Sequence, residues 1–195
     1  LNDSWFERYV NIENKNKAFF FDKKINIKNF EKKIHYKISN RQNFIEYSET
    51  GIDYLKIISK VIKKNNGGAL IIDYGYFDNK MKNTLQAVSN HQYSDVLKNI
   101  GKCDITYNIN FKLFKKIIKN INGLKELTTT QRDFLIQIGI KKRAEIISKN
   151  LSFLKKADIY YRLNRLIDEK QMGNLFKVMI IKNKNNKFRL GFGNV

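Results

Sequence analysis

The chain has 195 residues, no proline and one cysteine, and its 38 Lys+Arg against 18 Asp+Glu leave a formal charge of +20. One domain is the expected size, and a hydrophobic content of 42% supports a packed core and excludes an intrinsically disordered chain. Cys103 alone excludes a disulfide framework and a cysteine-based zinc cluster, and no apolar run reaches the ~18 residues of a membrane-spanning helix.

Residues 5–12 and 18–21 are strand-like and flank the polar turn 13–17, which predicts a hairpin. Residues 31–38 are expected to add a strand, with His35 at its surface. Ile52, Leu55, Ile58, Val61 and Ile62 recur at helical spacing and predict a helix over 50–64. Asn65-Asn66-Gly67-Gly68 stops it. The apolar run 69–72 then ends in Asp73-Tyr74-Gly75, the pattern of a parallel strand buried on both faces. A polar loop follows over 77–83, and 84–88 is a short ordered segment.

Residues 104–109 read as extended. Asn110 is an N-cap for a helix over 111–121, with Phe111, Phe114, Ile117, Ile118 and Ile121 on one face. Gly123 ends it, and 124–128 is a short strand. Thr130 caps a helix through Ile138, and 141–150 and 152–166 continue as amphipathic helices. Residues 175–182 are strand-like, with 187–190 expected to pair back through Asn185-Asn186. The alternation of helices and strands makes the chain α/β.

The charge points toward nucleic acid, but its makeup weakens that reading. Lys, Asn and Ile number 31, 25 and 27, which are residues of A/T-rich codons. Arginine, the better residue for bidentate phosphate and base contacts, occurs only 7 times. Genome composition therefore accounts for the lysines better than a selected polyanion site does.

Asp73 stands where ligands collect in open α/β sheets, outside the carboxyl end of a strand, and Gly75 would admit a close approach. The competing reading is a capped turn with a glycine of positive φ. His91 follows the uncharged stretch 84–90 and is either a general base or a hydrogen-bonded structural residue. Asp104 and Thr106 either orient a substrate or cap local structure. Thr129-Thr130-Gln131 opens a helix and either holds an anion or caps it. Two histidines at 35 and 91 with one cysteine give no metal-ligand spacing. The only Gly-x-Gly, Gly191-Phe192-Gly193, has no helix after it, so no dinucleotide- or adenosyl-type turn is present.

These motifs in order resemble the MidA family of S-adenosylmethionine (SAM)-dependent methyltransferases. Gly68-Ala69-Leu70-Ile71-Ile72-Asp73-Tyr74-Gly75 and Thr84-Leu85-Gln86-Ala87-Val88 with His91 carry the resemblance. Asp104-Ile105-Thr106, Thr130-Gln131 with Phe134, Arg143-Ala144, Arg165-Leu166-Ile167 and Met172-Gly173 extend it, as do Trp5, Glu7-Arg8 and an acidic position at Glu46. The resemblance implies the C-terminal half of a Rossmann-like class I methyltransferase sheet. Residues 1–48 would be a hairpin insertion, 49–128 sheet strands and helices, 129–170 a helical insertion, and 171–195 the last strand and tail. Strands at 69–72, 124–128 and 175–181 would be the fifth, sixth and seventh of the family sheet.

The resemblance also implies a protein arginine methyltransferase linked to respiratory complex I assembly, with SAM as cofactor. A complex I subunit would be the protein partner. Glu46, Asp73 and His91 would be the catalytic candidates, with Tyr74, Gly75, Gln86, Asp104, Thr106 and Gln131 near substrate or cofactor. The family's glycine-rich SAM turn lies in an N-terminal half that would precede Trp5, so a separately encoded half is an expected partner. A half-sheet leaves a bare strand edge, which predicts marginal stability for the chain alone. Alternatives are a basic module binding RNA or acidic protein, and an inactive remnant of a split gene. The expected location is the cytoplasm of a bacterium or the mitochondrial matrix of a eukaryote.

Overall fold

The computed structural model describes residues 4–13, 17–98 and 100–193. In chain order the elements begin with β1 (Trp5–Glu13), β2 (Lys17–Ile25), α1 (Ile27–Ile34), α2 (Glu49–Asn65), β3 (Gly68–Tyr76), β4 (Gln86–Ser89), β5 (Gln92–Ser94) and β6 (Asp104–Thr106). They continue with β7 (Ile109–Asn110), α3 (Phe111–Lys119), β8 (Leu124–Thr130), α4 (Gln131–Gln137), α5 (Ile140–Ser148), α6 (Phe153–Ile167), α7 (Met172–Leu175) and β9 (Phe176–Asn183). They group into two compact units, one of Leu1–Glu46 with Lys80–Asn108 and one of Tyr47–Asn79 with Ile109–Val195.

In the first unit β1 and β2 form the expected antiparallel hairpin, in register from Trp5 opposite Ile25 to Glu13 opposite Lys17. Residues 14–16 of the expected turn lie outside the described residues. An Arg8–Asp22 pair at 2.9 Å bridges the strands, but both groups are exposed and such pairs contribute little. Where a strand over 31–38 was expected, the chain instead forms α1. Ile27, Phe30 and Ile34 share helical spacing, and the Asn26 side chain accepts the Lys28 N–H at 3.1 Å. His35, exposed as expected, ends this helix in the left-handed region at φ 55°. Three short antiparallel strands, in the order β5-β4-β6, complete the unit.

The second unit is built on a four-stranded sheet in the order β7-β3-β9-β8. β9 runs antiparallel to both β3 and β8 and is its core, with Val178, Met179, Ile180 and Ile181 all buried. Leu127, Phe134, Val178, Ile180 and Phe192 form one hydrophobic cluster. Helices α2 and α3 also pack on the sheet through faces that bury Ile52, Leu55, Ile62, Phe111, Ile117 and Ile118.

Two expectations are corrected here. β3 is not a parallel strand buried on both faces. Its long ladder, from Gly68 to Tyr74, is antiparallel to β9, and it meets β7 in parallel only at Gly75–Tyr76. Among the described residues nothing pairs with its other edge along 68–74, and Leu70 and Ile72 stay 47% and 45% exposed. An apolar run reports burial but not which neighbour provides it. Residues 187–190 form no strand: Phe188 N–H donates to Asn186 Oδ1 at 2.9 Å, and the chain turns so that Phe192 packs on Phe134.

Lys182 is buried on β9 and its ammonium donates to the Phe188 carbonyl. Burial, with help from Lys125 and Arg189, holds its pKa below the usual lysine value. The folded state therefore binds this proton less tightly than the unfolded chain. The resulting destabilisation is present in full below the folded pKa and is relieved as pH rises through it toward the unfolded value. Lys182→Met should raise the melting temperature at pH 7 and flatten the alkaline rise in stability. Thermal melts from pH 7 to 10 check both, and a variant that melts lower at pH 7 would contradict the assignment.

Candidate functional site

The expected Asp73-Tyr74-Gly75 group lies on β3 itself, because the strand runs on to Tyr76 instead of ending before Asp73. Asp73 is exposed and its Oδ1 accepts the Tyr74 N–H at 2.7 Å, which fixes the carboxylate against the strand. Tyr74 lies opposite Phe176 in the ladder, and the two rings approach to 4.2 Å between centroids. Lys177 stands across from Asp73, its ammonium 5.7 Å from the Phe77 ring centroid. Asn110 caps α3, as the sequence predicts, by accepting N–H bonds from Lys112 and Leu113 at 3.0 and 3.1 Å.

Gly75 admits the close approach that the sequence predicts. A Cβ at this position would lie 2.5 Å from the Ile109 carbonyl oxygen and 2.6 Å from the Phe111 ring. The close approach that requires glycine is made by the protein's own backbone and core, not by a ligand.

Gln131 is nearly buried, and its amide donates to the Leu166 carbonyl at 3.0 Å, tying α4 to the end of α6. Thr130 Oγ1 accepts the Asp133 N–H at 3.1 Å. These are capping and bracing roles. The neighbouring Arg132, which the sequence did not single out, donates to the Ile167 carbonyl at 3.0 Å and meets Glu169 at 3.4 Å. Beside it, Arg165, Glu169, Met172 and Leu175 help line an open depression of about 490 Å³. The sequence signal for this corner is Gly173, where a Cβ would sit 2.6 Å from the Ile167 and Asp168 carbonyls.

The other candidates belong to the first unit. Glu46 is half-buried, and its carboxylate accepts from Thr84 N–H at 3.1 and 3.2 Å, from Leu85 N–H at 3.0 Å and from the Thr84 hydroxyl. Thr84 Oγ1 in turn accepts the Asn108 N–H at 2.8 Å. Glu46 thus anchors a loop 38 residues away in sequence. Removing its carboxylate strands several donors at once, and hydrogen bonds to charged groups are each worth more than neutral ones. Glu46→Ala should cost the first unit about 2 kcal/mol, read as a lower denaturant midpoint. A midpoint within error of the parent would contradict this.

Gln86 and Thr106 face each other across β4 and β6, with the amide donating to the hydroxyl at 3.2 Å. Asp104 is exposed on β6, opposite Val88. Asn90 and His91 form the turn between β4 and β5, at φ 50° and 61°. Two residues of positive φ are what a tight hairpin demands. His91 is an exposed turn residue, so the geometry favours its structural reading.

Among the described residues, no group of three His, Cys, Asp or Glu side chains is placed to hold a metal ion, and no helix is long and apolar enough to cross a membrane.

The chain belongs to a family of S-adenosyl-L-methionine-dependent methyltransferases. Residues 1–130 match the family model described as "Putative S-adenosyl-L-methionine-dependent methyltransferase". Among curated relatives, the zebrafish (Danio rerio) mitochondrial protein arginine methyltransferase NDUFAF7 is 28% identical over 148 residues, covering 75% of this chain and 34% of the relative. The Caenorhabditis elegans homologue is 29% identical over 147 residues, covering 72% and 33%. A crystal structure of an uncharacterised Burkholderia thailandensis protein superposes with a TM-score of 0.77 at 21% identity, over 99% of this chain and 53% of that one. A second structure of that superfamily, from the same bacterium and bound to S-adenosyl-homocysteine, gives 0.73 at 23% identity, over 99% and 51%. The fold is therefore that of a Rossmann-like, MidA-type methyltransferase, as the motifs predict. The chain spans about a third of the curated relatives' length and about half of the solved structures'.

The methyl donor of this family is SAM. The described residues do not by themselves form a holder for it. No glycine-rich turn leads from a strand into a helix among them. Gly67 precedes β3 and Gly68 opens it, and a Cβ on Gly191 would lie 2.4 Å from the Phe134 ring, so that glycine serves packing.

Proposed function

We propose that this chain is the acceptor-side portion of a SAM-dependent protein arginine methyltransferase. The observation that carries the proposal is the sheet order β3-β9-β8 with antiparallel β9 between the other two. By the family resemblance these three would be the fifth, seventh and sixth strands of the methyltransferase sheet. Family membership over residues 1–130 and the arginine methyltransferase names of its relatives support the same reading.

An arginine acceptor is protonated at neutral pH, so it must be held and must give up a proton as it reacts. A fixed carboxylate does both. Asp73 lies on β3 three residues before its carboxyl end, paired opposite Lys177, with Oδ1 accepting the Tyr74 N–H. Tyr74, on the opposite face of β3 and packed against Phe176, would brace the strand that carries Asp73. Glu46, Gln86 and Thr106 would shape the first unit, and His91 and Asp104 would lie on its surface. The bare edge of β3 would be completed by the family's donor-binding half, encoded in the same or a separate chain. We assign 1–48 as the hairpin insertion, 49–128 as sheet, 129–170 as helical insertion and 171–195 as last strand and tail. A complex I subunit is the proposed acceptor. The corresponding location is the mitochondrial matrix in a eukaryote and the cytoplasm in a bacterium.

The test uses the protein isolated from its own cells. Methyl-labelled SAM and a lysate protein pool should yield label in methylarginine after hydrolysis. Label confined to lysine or to nucleic acid, or no label at all, would refute the proposal.

A further inference from the structure

The corner between α5 and α6 combines features the methyltransferase reading does not use. Phe153 and Leu154, the first two residues of α6, are 82% and 79% exposed. They are flanked by Lys149, Lys155 and Lys156. The nearest carboxylates along both helices are already engaged: Glu145 pairs with Lys142 at 2.9 Å, and Asp158 with Arg162 at 2.9 Å. The corner therefore presents uncompensated positive charge around two bare apolar side chains. Tyr160 and Tyr161 are also exposed, about 10 Å further along α6 at the helical rise.

Adjacent residues on a helix point roughly 100° apart. One groove on one side of the helix cannot receive both Phe153 and Leu154. A fluid layer met end-on receives both. Lysine stems reach along apolar surface while their ammonium groups stay with the phosphates, and tyrosine favours the headgroup level.

We propose that the α5–α6 corner is a peripheral docking tip for an anionic lipid surface. Phe153 and Leu154 enter the acyl boundary, and Lys149, Lys155 and Lys156 engage headgroup phosphates. The tip gives reversible attachment of the kind made by interfacial helices. It brings the protein to a membrane face and is independent of the identity of the methyl acceptor.

The test is sedimentation of the full chain with vesicles of 30% phosphatidylserine in phosphatidylcholine, against phosphatidylcholine alone. Binding is expected only to the anionic vesicles. Each lysine near such a surface is worth about fivefold in partition, so Lys149→Glu with Lys155→Glu and Lys156→Glu should lower it well over tenfold. The uncharged pair Phe153→Ser with Leu154→Ser should lower it about tenfold or more with an unchanged melt, since both side chains are exposed. Phe153→Trp, made together with Trp5→Phe so that it carries the sole tryptophan, should show blue-shifted emission in a folded protein when vesicles are added. A highly cationic chain can adhere to anionic vesicles anywhere on its surface, and the serine pair distinguishes this. Binding that the serine pair leaves intact overturns the proposal, as does an unshifted tryptophan. Retention on polyglutamate resin that needs Phe153 and Leu154, without vesicle binding, would reassign the tip to an acidic protein and equally overturn it.

Discussion

Gly75→Ala is expected to destabilise the second unit by about 3 kcal/mol, at the upper end of what overpacking costs. The added methyl carbon would sit 2.5 Å from the Ile109 carbonyl oxygen and 2.6 Å from two carbons of the Phe111 ring. Neither neighbour can yield cheaply. Ile109 is the β7 residue paired in parallel with Gly75, so its backbone cannot move without breaking that ladder. Phe111 is fully buried at the start of α3 and is held against Phe77 and Phe114. The melting temperature should fall by roughly 10 °C for a unit of this size. Gly67→Ala is the control, because nothing lies within 4 Å of the Cβ it would add. It should change stability by less than about 0.5 kcal/mol, as surface substitutions usually do. Equal melts for the two variants would mean that the contact at Gly75 is not as tight as described.

Asp73→Asn is expected to lower methyl transfer by about 10²-fold while leaving the fold intact. The substitution removes a charge and keeps an oxygen where Oδ1 accepts the Tyr74 N–H, so the local turn survives. What is lost is the carboxylate that would hold a protonated guanidinium and take its proton. A loss of kcat at constant melting temperature is the predicted signature. Activity within threefold of the parent would remove Asp73 from the acceptor site and leave it as an ordinary residue of β3.

The elements that could be read directly are those whose signals are local. The α3 helix announces itself through the Asn110 cap and its apolar face, and β9 through an unbroken apolar run. Three lysines and a histidine over 31–38 mask the Ile27, Phe30, Ile34 spacing that makes α1 a helix. The antiparallel partner of β3 lies about a hundred residues downstream, and no pattern within β3 names it. Glu46 was picked out by resemblance alone. Its hydrogen bonds to Thr84 and Leu85 depend on a long-range approach that residue types do not encode. Gly75 was rightly singled out as a site of close approach, but the approaching group, Phe111, could only be seen in three dimensions.

The division of labour within the sheet carries a direct consequence for cofactor binding. β3 offers a carboxylate, while among the described residues its edge along 68–74 is unpaired and no glycine-rich turn leads from a strand into a helix. Titration calorimetry of SAM against this 195-residue chain alone, and against the protein as isolated from its cells, measures this. The account predicts no saturable heat for the chain alone and one-site binding for the native protein. Stoichiometric binding by the isolated chain, or none by the native protein, would contradict it.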